Sequence, residues 1–159
     1  MNLPFTVRQK GALRSGQIDR KEGTVVKILN FGSLNLDKVY KVAHFVREGE
    51  TISAQEQNQF LGGKGLNQSV ALARAGAEVC HVGKIGADGH MLKTFLDNEQ
   101  VDTQHILVTE ERTGHAIIQV DDAGSNSIIL YGGANQAITA EWDAARSAIS
   151  FSSWARVVP

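Results

Sequence analysis

Residues Gly62–Ile85 read GGKGLNQSVALARAGAEVCHVGKI. A glycine-rich turn opens an alanine-rich helical stretch, Gln68–Ala75, which Gly76 ends as a C′ residue. Glu78–Ile85 then forms an apolar run suited to a strand buried on both faces. Small side chains in the helix let it lie close to a sheet. A turn, a helix and a buried strand in that order predict an α/β domain with a parallel sheet.

The pattern continues on both sides. Upstream, the apolar run Val25–Phe31, ended by Gly32 and Ser33, is the expected first strand. Lys38–Phe45 and Glu50–Phe60 are more polar and read as half-exposed strands or a hairpin-like excursion. Downstream, Asp88 is the expected N-cap of a helix carrying Leu92, Phe95 and Leu96 at i, i+3, i+4 spacing. Gly114–Val120 and Ser127–Tyr131 flank a turn-rich loop, Asp121–Asn126, and predict an antiparallel hairpin. Thr139 is expected to cap a helix running through Ile149, with Trp142, Ala145 and Ile149 on one face. Trp154–Val158 begins another buried strand. A chain that stops inside a strand leaves an unpaired edge, so the expectation is a truncated polypeptide.

The chain has 159 residues, enough for one domain with its own core. Apolar residues make up 42% and charged residues 21%, the balance of a soluble globular protein. A net charge of −1 points to neither nucleic acid nor an anionic membrane as partner. Cys80 is the one cysteine, which excludes an internal disulfide and suits a reducing cytoplasm. Its apolar neighbours mark it as an inert core thiol. No apolar run reaches the ~18–20 residues that span a bilayer, and no signal-peptide pattern opens the chain. Residues 1–24 hold five basic and two acidic residues without clean periodicity. They read as a disordered or expression-derived leader, with a basic nucleic-acid arm as the weaker alternative.

Two segments carry candidate chemistry. The turn Gly62–Gln68 resembles a phosphate loop at first sight. The Walker pattern requires Ser or Thr after Gly-Lys, and Gly65 stands there; the dinucleotide fingerprint requires a third glycine where Gln68 stands. What remains is a turn whose backbone can approach a ligand closely, with Lys64 and Asn67 at its rim, or a structural turn. The second segment, Gly32–Asp37 (GSLNLD), follows the first strand, at the end where ligands gather in open α/β sheets. Asn35 and Asp37 are i, i+2 and face the same way in extended chain. An amide and a carboxylate projecting together suit vicinal hydroxyls of a sugar; an Asx-type turn is the bland alternative. His44, His81, His90, His105 and His115 show no metal-ligand spacing, so no metal site is expected. His115 is expected to be solvent-facing polarity on the hairpin, and the turn Gly132–Asn135 to be structural.

Taken together, GSLNLD after a first strand, GGKGLNQ, and GAEVCHVGKIGADGHMLKTFL resemble the ribokinase family of pfkB-type carbohydrate kinases, from about Ile28 to Pro159. The GGKGxNQ pattern is closer to the ribokinase branch than to the fructokinase or adenosine kinase branches. The resemblance implies a ribokinase-like α/β fold, a three-layer parallel sheet with a small β-sheet lid, truncated after the N-terminal half. It implies that residues 25–159 form the N-terminal part of the kinase domain, with lid strands at about 38–60 and 114–131 that serve as a homodimer interface. It also implies a sugar site built from Asn35, Leu36, Asp37, Gly63, Lys64, Gly65, Leu66 and Asn67.

By the same resemblance, the whole enzyme uses ATP, Mg2+ and a monovalent cation to phosphorylate a sugar, ribose or a related pentose. The family's Gly-Ala-Gly-Asp motif, which supplies the general base and the anion hole, does not occur in these 159 residues. Catalytic residues are therefore expected to be none, and this chain alone is expected to be inactive. A non-catalytic sugar-binding or dimerisation module is the alternative reading.

Overall fold

The computed structural model describes residues 27–138 and the backbone of 155–157. The expected leader and the expected helix over 139–149 lie outside the described residues.

Two four-stranded sheets organise the chain. The first has the order β5-β4-β1-β8 and is parallel throughout. Its strands are β1 (Lys27–Phe31), β4 (Glu78–Gly86), β5 (Asp102–Thr109) and β8 (Ala155–Val157). The second has the order β3-β2-β6-β7, from β2 (Asn35–Lys41), β3 (Glu56–Gly62), β6 (Gly114–Val120) and β7 (Asn126–Tyr131). In it β2 runs antiparallel to β3 and parallel to β6, and β6 and β7 form the expected antiparallel hairpin. Among the described residues, no helix is long and apolar enough to cross a membrane.

Helix α1 (Lys64–Arg74) and helix α2 (His90–Asn98) pack on one face of the parallel sheet. Period-2 alternation explains how the strands serve both faces. Ile28 on β1 and Val79 and Ile85 on β4 join Leu66, Val70, Leu92 and Leu96 in the main core. Leu29, Cys80 and Val82 form a separate cluster with Phe31. Burial pushes the Cys80 thiol up to about 12, with the charge of Asp102 adding to it, so it stays protonated as an inert core thiol. Helix α1 closes as its sequence indicates: Gly76 N–H donates to Ala73 O and Ala77 N–H to Leu72 O.

Four expectations change. Helix α1 begins at Lys64, inside the glycine turn, four residues before Gln68. Strands β2 and β3 are displaced from the ranges read for them, so Asn35 and Asp37 belong to a strand and not to a turn. Strand β5 has no counterpart in the sequence reading. Finally, Asp88 does not cap α2, whose N-cap is Gly89 with no side-chain hydrogen bond. Its carboxylate instead accepts from the Thr113 backbone N–H at 3.0 Å and the Thr113 hydroxyl at 2.6 Å, tying the start of α2 to the start of β6. Burial works against that carboxylate, but the bonds from Thr113, the Asp88 backbone N–H and the charge of Arg112 together hold its pKa below the usual range.

Candidate functional site

The glycine turn brings the two sheets together. Gly63 has φ 102°, a left-handed value open to glycine, and it links the end of β3 to the first residue of α1. A Cβ there would collide with the Ser33 carbonyl. At Gly65 a Cβ would fall on the Gly32 backbone, so the strand-end turn and the helix start touch main chain to main chain. Leu66 N–H donates to Ser33 O at 3.2 Å across this contact. These contacts are the close approach that the glycine-rich stretch requires.

Above the contact lies a cleft of about 540 Å³, within the range of small-molecule sites. Its polar lining is Ser33, Asn35, Asp37, Lys64, Asn67, Asn135 and Gln136, with Gly63 at its floor. Ala116, Ile118, Ile128 and Leu130 of the hairpin supply an apolar wall. The register explains the wall: Asp37 pairs with Ala116, Val39 with Ile118, and Ala116 and Ile118 with Leu130 and Ile128, so all point to one face.

Asn135 fixes the polarity of the cleft. Its Oδ1 accepts from the Leu34 backbone N–H at 3.0 Å, which assigns the opposite edge as its amine. That Nδ2 donates to Asn35 Oδ1 at 2.8 Å and to Leu34 O at 3.2 Å. With its oxygen already accepting from Asn135, Asn35 has its Nδ2 hydrogens to offer, while the Asp37 carboxylate two residues on, when ionised, presents acceptors only. A hydroxyl can accept from the first and donate to the second. Burial pushes the Asp37 carboxyl above its usual value, and Gly62 leaves the room the carboxylate occupies, since a Cβ there would overlap it.

Of the residues singled out from the sequence, Asn35, Asp37, Gly63, Lys64 and Asn67 line the cleft together. Leu36 and Leu66 do not reach it; they are 5% and 2% exposed and packed in the main core. Gly65 is buried beneath, against Gly32. His115 is half-buried, its ring 5.0 Å from that of Tyr131, and so is less solvent-facing than its hairpin position suggested. Sequence reasoning treated Gly132–Asn135 as a structural turn and missed that Asn135 orients Asn35. No local signal marks that role, because the two residues are 100 positions apart. Among the described residues, no group of three or more His, Cys, Asp or Glu could hold a metal ion. Asp37 is the one carboxylate in the cleft, and the glycine turn lacks the spacing of a nucleotide loop, so the described residues do not fit ATP and Mg2+.

Comparison with known proteins identifies the family and the fold. The family model described as pfkB family carbohydrate kinase matches residues 26–155. The ribokinase of Haemophilus influenzae is 46% identical over 107 residues, covering 65% of this chain and 35% of that protein. A structure titled ribokinase from Cryptococcus neoformans in complex with ADP superposes with a TM-score of 0.71 at 37% identity, covering 84% of this chain and 40% of that one. Arabidopsis thaliana ribokinase, in a structure titled as complexed with ribose and ATP, gives a TM-score of 0.64 at 35% identity, covering 70% and 38%. The chain therefore spans well under half the length of the relatives it matches.

Proposed function

The chain belongs to the pfkB family of carbohydrate kinases, and from that premise we propose that its cleft is the sugar-binding part of a ribokinase-type enzyme. The observation that carries this reading is the donor–acceptor pair at the cleft, Asn35 with its oxygen accepting from Asn135 and Asp37 two residues on. Neighbouring hydroxyls of a pentose match that pair. Lys64 and Asn67 grip from the glycine turn, and Ala116, Ile118, Ile128 and Leu130 cover the sugar ring. Leu36, Gly65 and Leu66 hold the site from below. The whole enzyme would phosphorylate ribose or a related pentose with ATP and Mg2+; the related ribokinases bound to ADP and to ribose and ATP support the sugar and the nucleotide of this reading.

In this reading residues 25–159 are the N-terminal part of the kinase domain, and the sheet β3-β2-β6-β7 is its lid. The lid's exposed Ile129 and Tyr131, which alternate with the cleft-lining Ile128 and Leu130 and so lie on the other face of the sheet, favour pairing with a second copy. Asp37 orients the sugar and does not act as the base. Phosphoryl transfer depends on groups placed around the transferred phosphate, and the described residues supply none. The 159-residue chain therefore binds sugar without turning it over. An ADP-release assay with ribose and Mg-ATP should give no turnover from this chain, whereas calorimetry should give saturable ribose binding that Asp37→Ala abolishes. Turnover would overturn the inactive assignment; binding that survives Asp37→Ala would overturn the site.

A further inference from the structure

Beneath the cleft lies a group of polar side chains that the sugar site itself does not use. Asn30 and His81 are register partners on β1 and β4, and both face α1. Asn30, Ser69 and His81 are each 0% exposed, and none of them lines the cleft.

The protons in this group can be placed one by one. The Gly32 carbonyl can only accept, so the His81 nitrogen that meets it, Nε2 at 3.3 Å, carries the hydrogen. The ring is neutral: burial lowers its pKa to about 4, against a smaller opposing effect of the Gly32 carbonyl. Nδ1 is then an acceptor, and the Ser69 hydroxyl 2.7 Å away donates to it. The Ser69 oxygen accepts from Asn30 Nδ2 at 2.8 Å, and the same amide nitrogen donates to Gly65 O, also at 2.8 Å. The chain of bonds thus begins at the Gly65 carbonyl and ends at the Gly32 carbonyl. Those are the two glycines whose backbones touch under the cleft.

We propose that Asn30, Ser69 and His81 are positioning residues that lock the two turns of the cleft in register, so that affinity for a sugar depends on three side chains that never reach it. The inference rests on the sugar-site reading above. Gly32 leads directly into Ser33, Asn35 and Asp37, and Gly65 lies between Lys64 and Asn67. Fixing both carbonyls fixes the spacing between the carboxylate–amide pair and the rim of the helix. A packing role alone gives no reason for Asn30, which spends its amide hydrogens on Gly65 O and Ser69 Oγ and whose Oδ1 is buried without a partner among the described residues.

The test uses the 159-residue chain with ribose as probe, read by calorimetry and by NMR of 15N-labelled histidine and backbone amides. In the wild type, His81 should be neutral with its proton on Nε2, and its ring signals should shift when ribose is added although the ring is buried. Ser69→Ala and His81→Phe should each weaken ribose binding about tenfold. The double variant should lose little more than the worse single, because one relay is broken once. If His81→Phe fails to fold, Ser69→Ala alone decides. Wild-type affinity in the folded variants, or a His81 proton on Nδ1, overturns the proposal. If the wild type takes up no ribose, the sugar-site reading fails and the relay is judged on the free chain. Displaced amide signals of Gly32 and Gly65–Asn67 in Ser69→Ala then uphold it, and unmoved signals overturn it.

Discussion

The two sheets of this chain differ in what they do with apolar surface. In the parallel sheet and its helices, Leu29, Val82, Ile85, Leu92 and Leu96 are 0% exposed. In the small sheet, every residue of β7 is exposed, and Ile128, Ile129 and Leu130 show 54%, 62% and 66% of their surface. The first sheet spends its hydrophobic residues on stability, and the second holds them available for contact. The cleft lies between the two, with its floor on the buried part and its wall on the exposed part.

Substitutions should separate these roles. Leu92→Ala or Leu96→Ala should cost about 2–5 kcal/mol in chemical denaturation, the range for emptying a fully packed leucine site. Equal tolerance of these changes and of changes in β7 would break the comparison.

Acid should expose the buried relay next. The unfolded chain protonates His81 near its ordinary value, whereas the folded chain holds it neutral down to about 4. The unfolded state therefore binds more protons over that window, and stability falls as pH drops from about 6.5 to 4. The contribution is on the order of 3 kcal/mol. Denaturation midpoints of wild type and His81→Phe, compared across those pH values, should converge toward acid; parallel profiles would contradict it.

A smaller effect of opposite sign is expected at the cleft. The Asp37 pKa is raised by burial, so the folded chain holds its proton more tightly than the unfolded one, and the ionised form is a burden above the usual carboxylate range. Asp37→Asn should therefore slightly raise the melting temperature at pH 7 and leave it nearly unchanged at pH 3. A stabilised variant with weaker sugar binding is the trade expected of a functional residue. A lowered melting temperature at pH 7 would assign Asp37 a structural role.

The smallest effect is expected in β7, where Ile129→Ser should change stability by no more than about 0.5 kcal/mol. If the exposed strand pairs with a second copy, the same change should shift light scattering toward monomer. A large loss of stability without any change in association would erase the distinction between the sheets.

How far the sequence alone carries follows the same division. The α/β alternation was legible because β1, α1 and β4 combine apolar periodicity with glycines at their ends, and those signals are local. Asn35 and Asp37 were legible as a pair because i, i+2 spacing holds in any extended chain, and the strand they occupy excludes the Asx-type turn that stood as the alternative. Strand β5 was hidden by its composition: Asp102, Gln104 and His105 interrupt it, and Leu107 and Val108 are exposed. Asp88 was misread because its partner, Thr113, is 25 residues away. Asn135 and the Asn30–Ser69–His81 group were invisible for the same reason, since their chemistry exists only once distant strands and helix are packed together.

The central claim is that Asn35, Asp37 and the glycine turn hold a sugar. An NMR titration of the 15N-labelled chain with ribose tests it most directly. The account predicts saturable shifts concentrated at Asn35, Asp37, Gly63, Asn67 and the side-chain amide of Asn135. Shifts confined to the opposite face of the small sheet, around Tyr40, Val46 and Ile52, or no shifts at millimolar ribose, would contradict it.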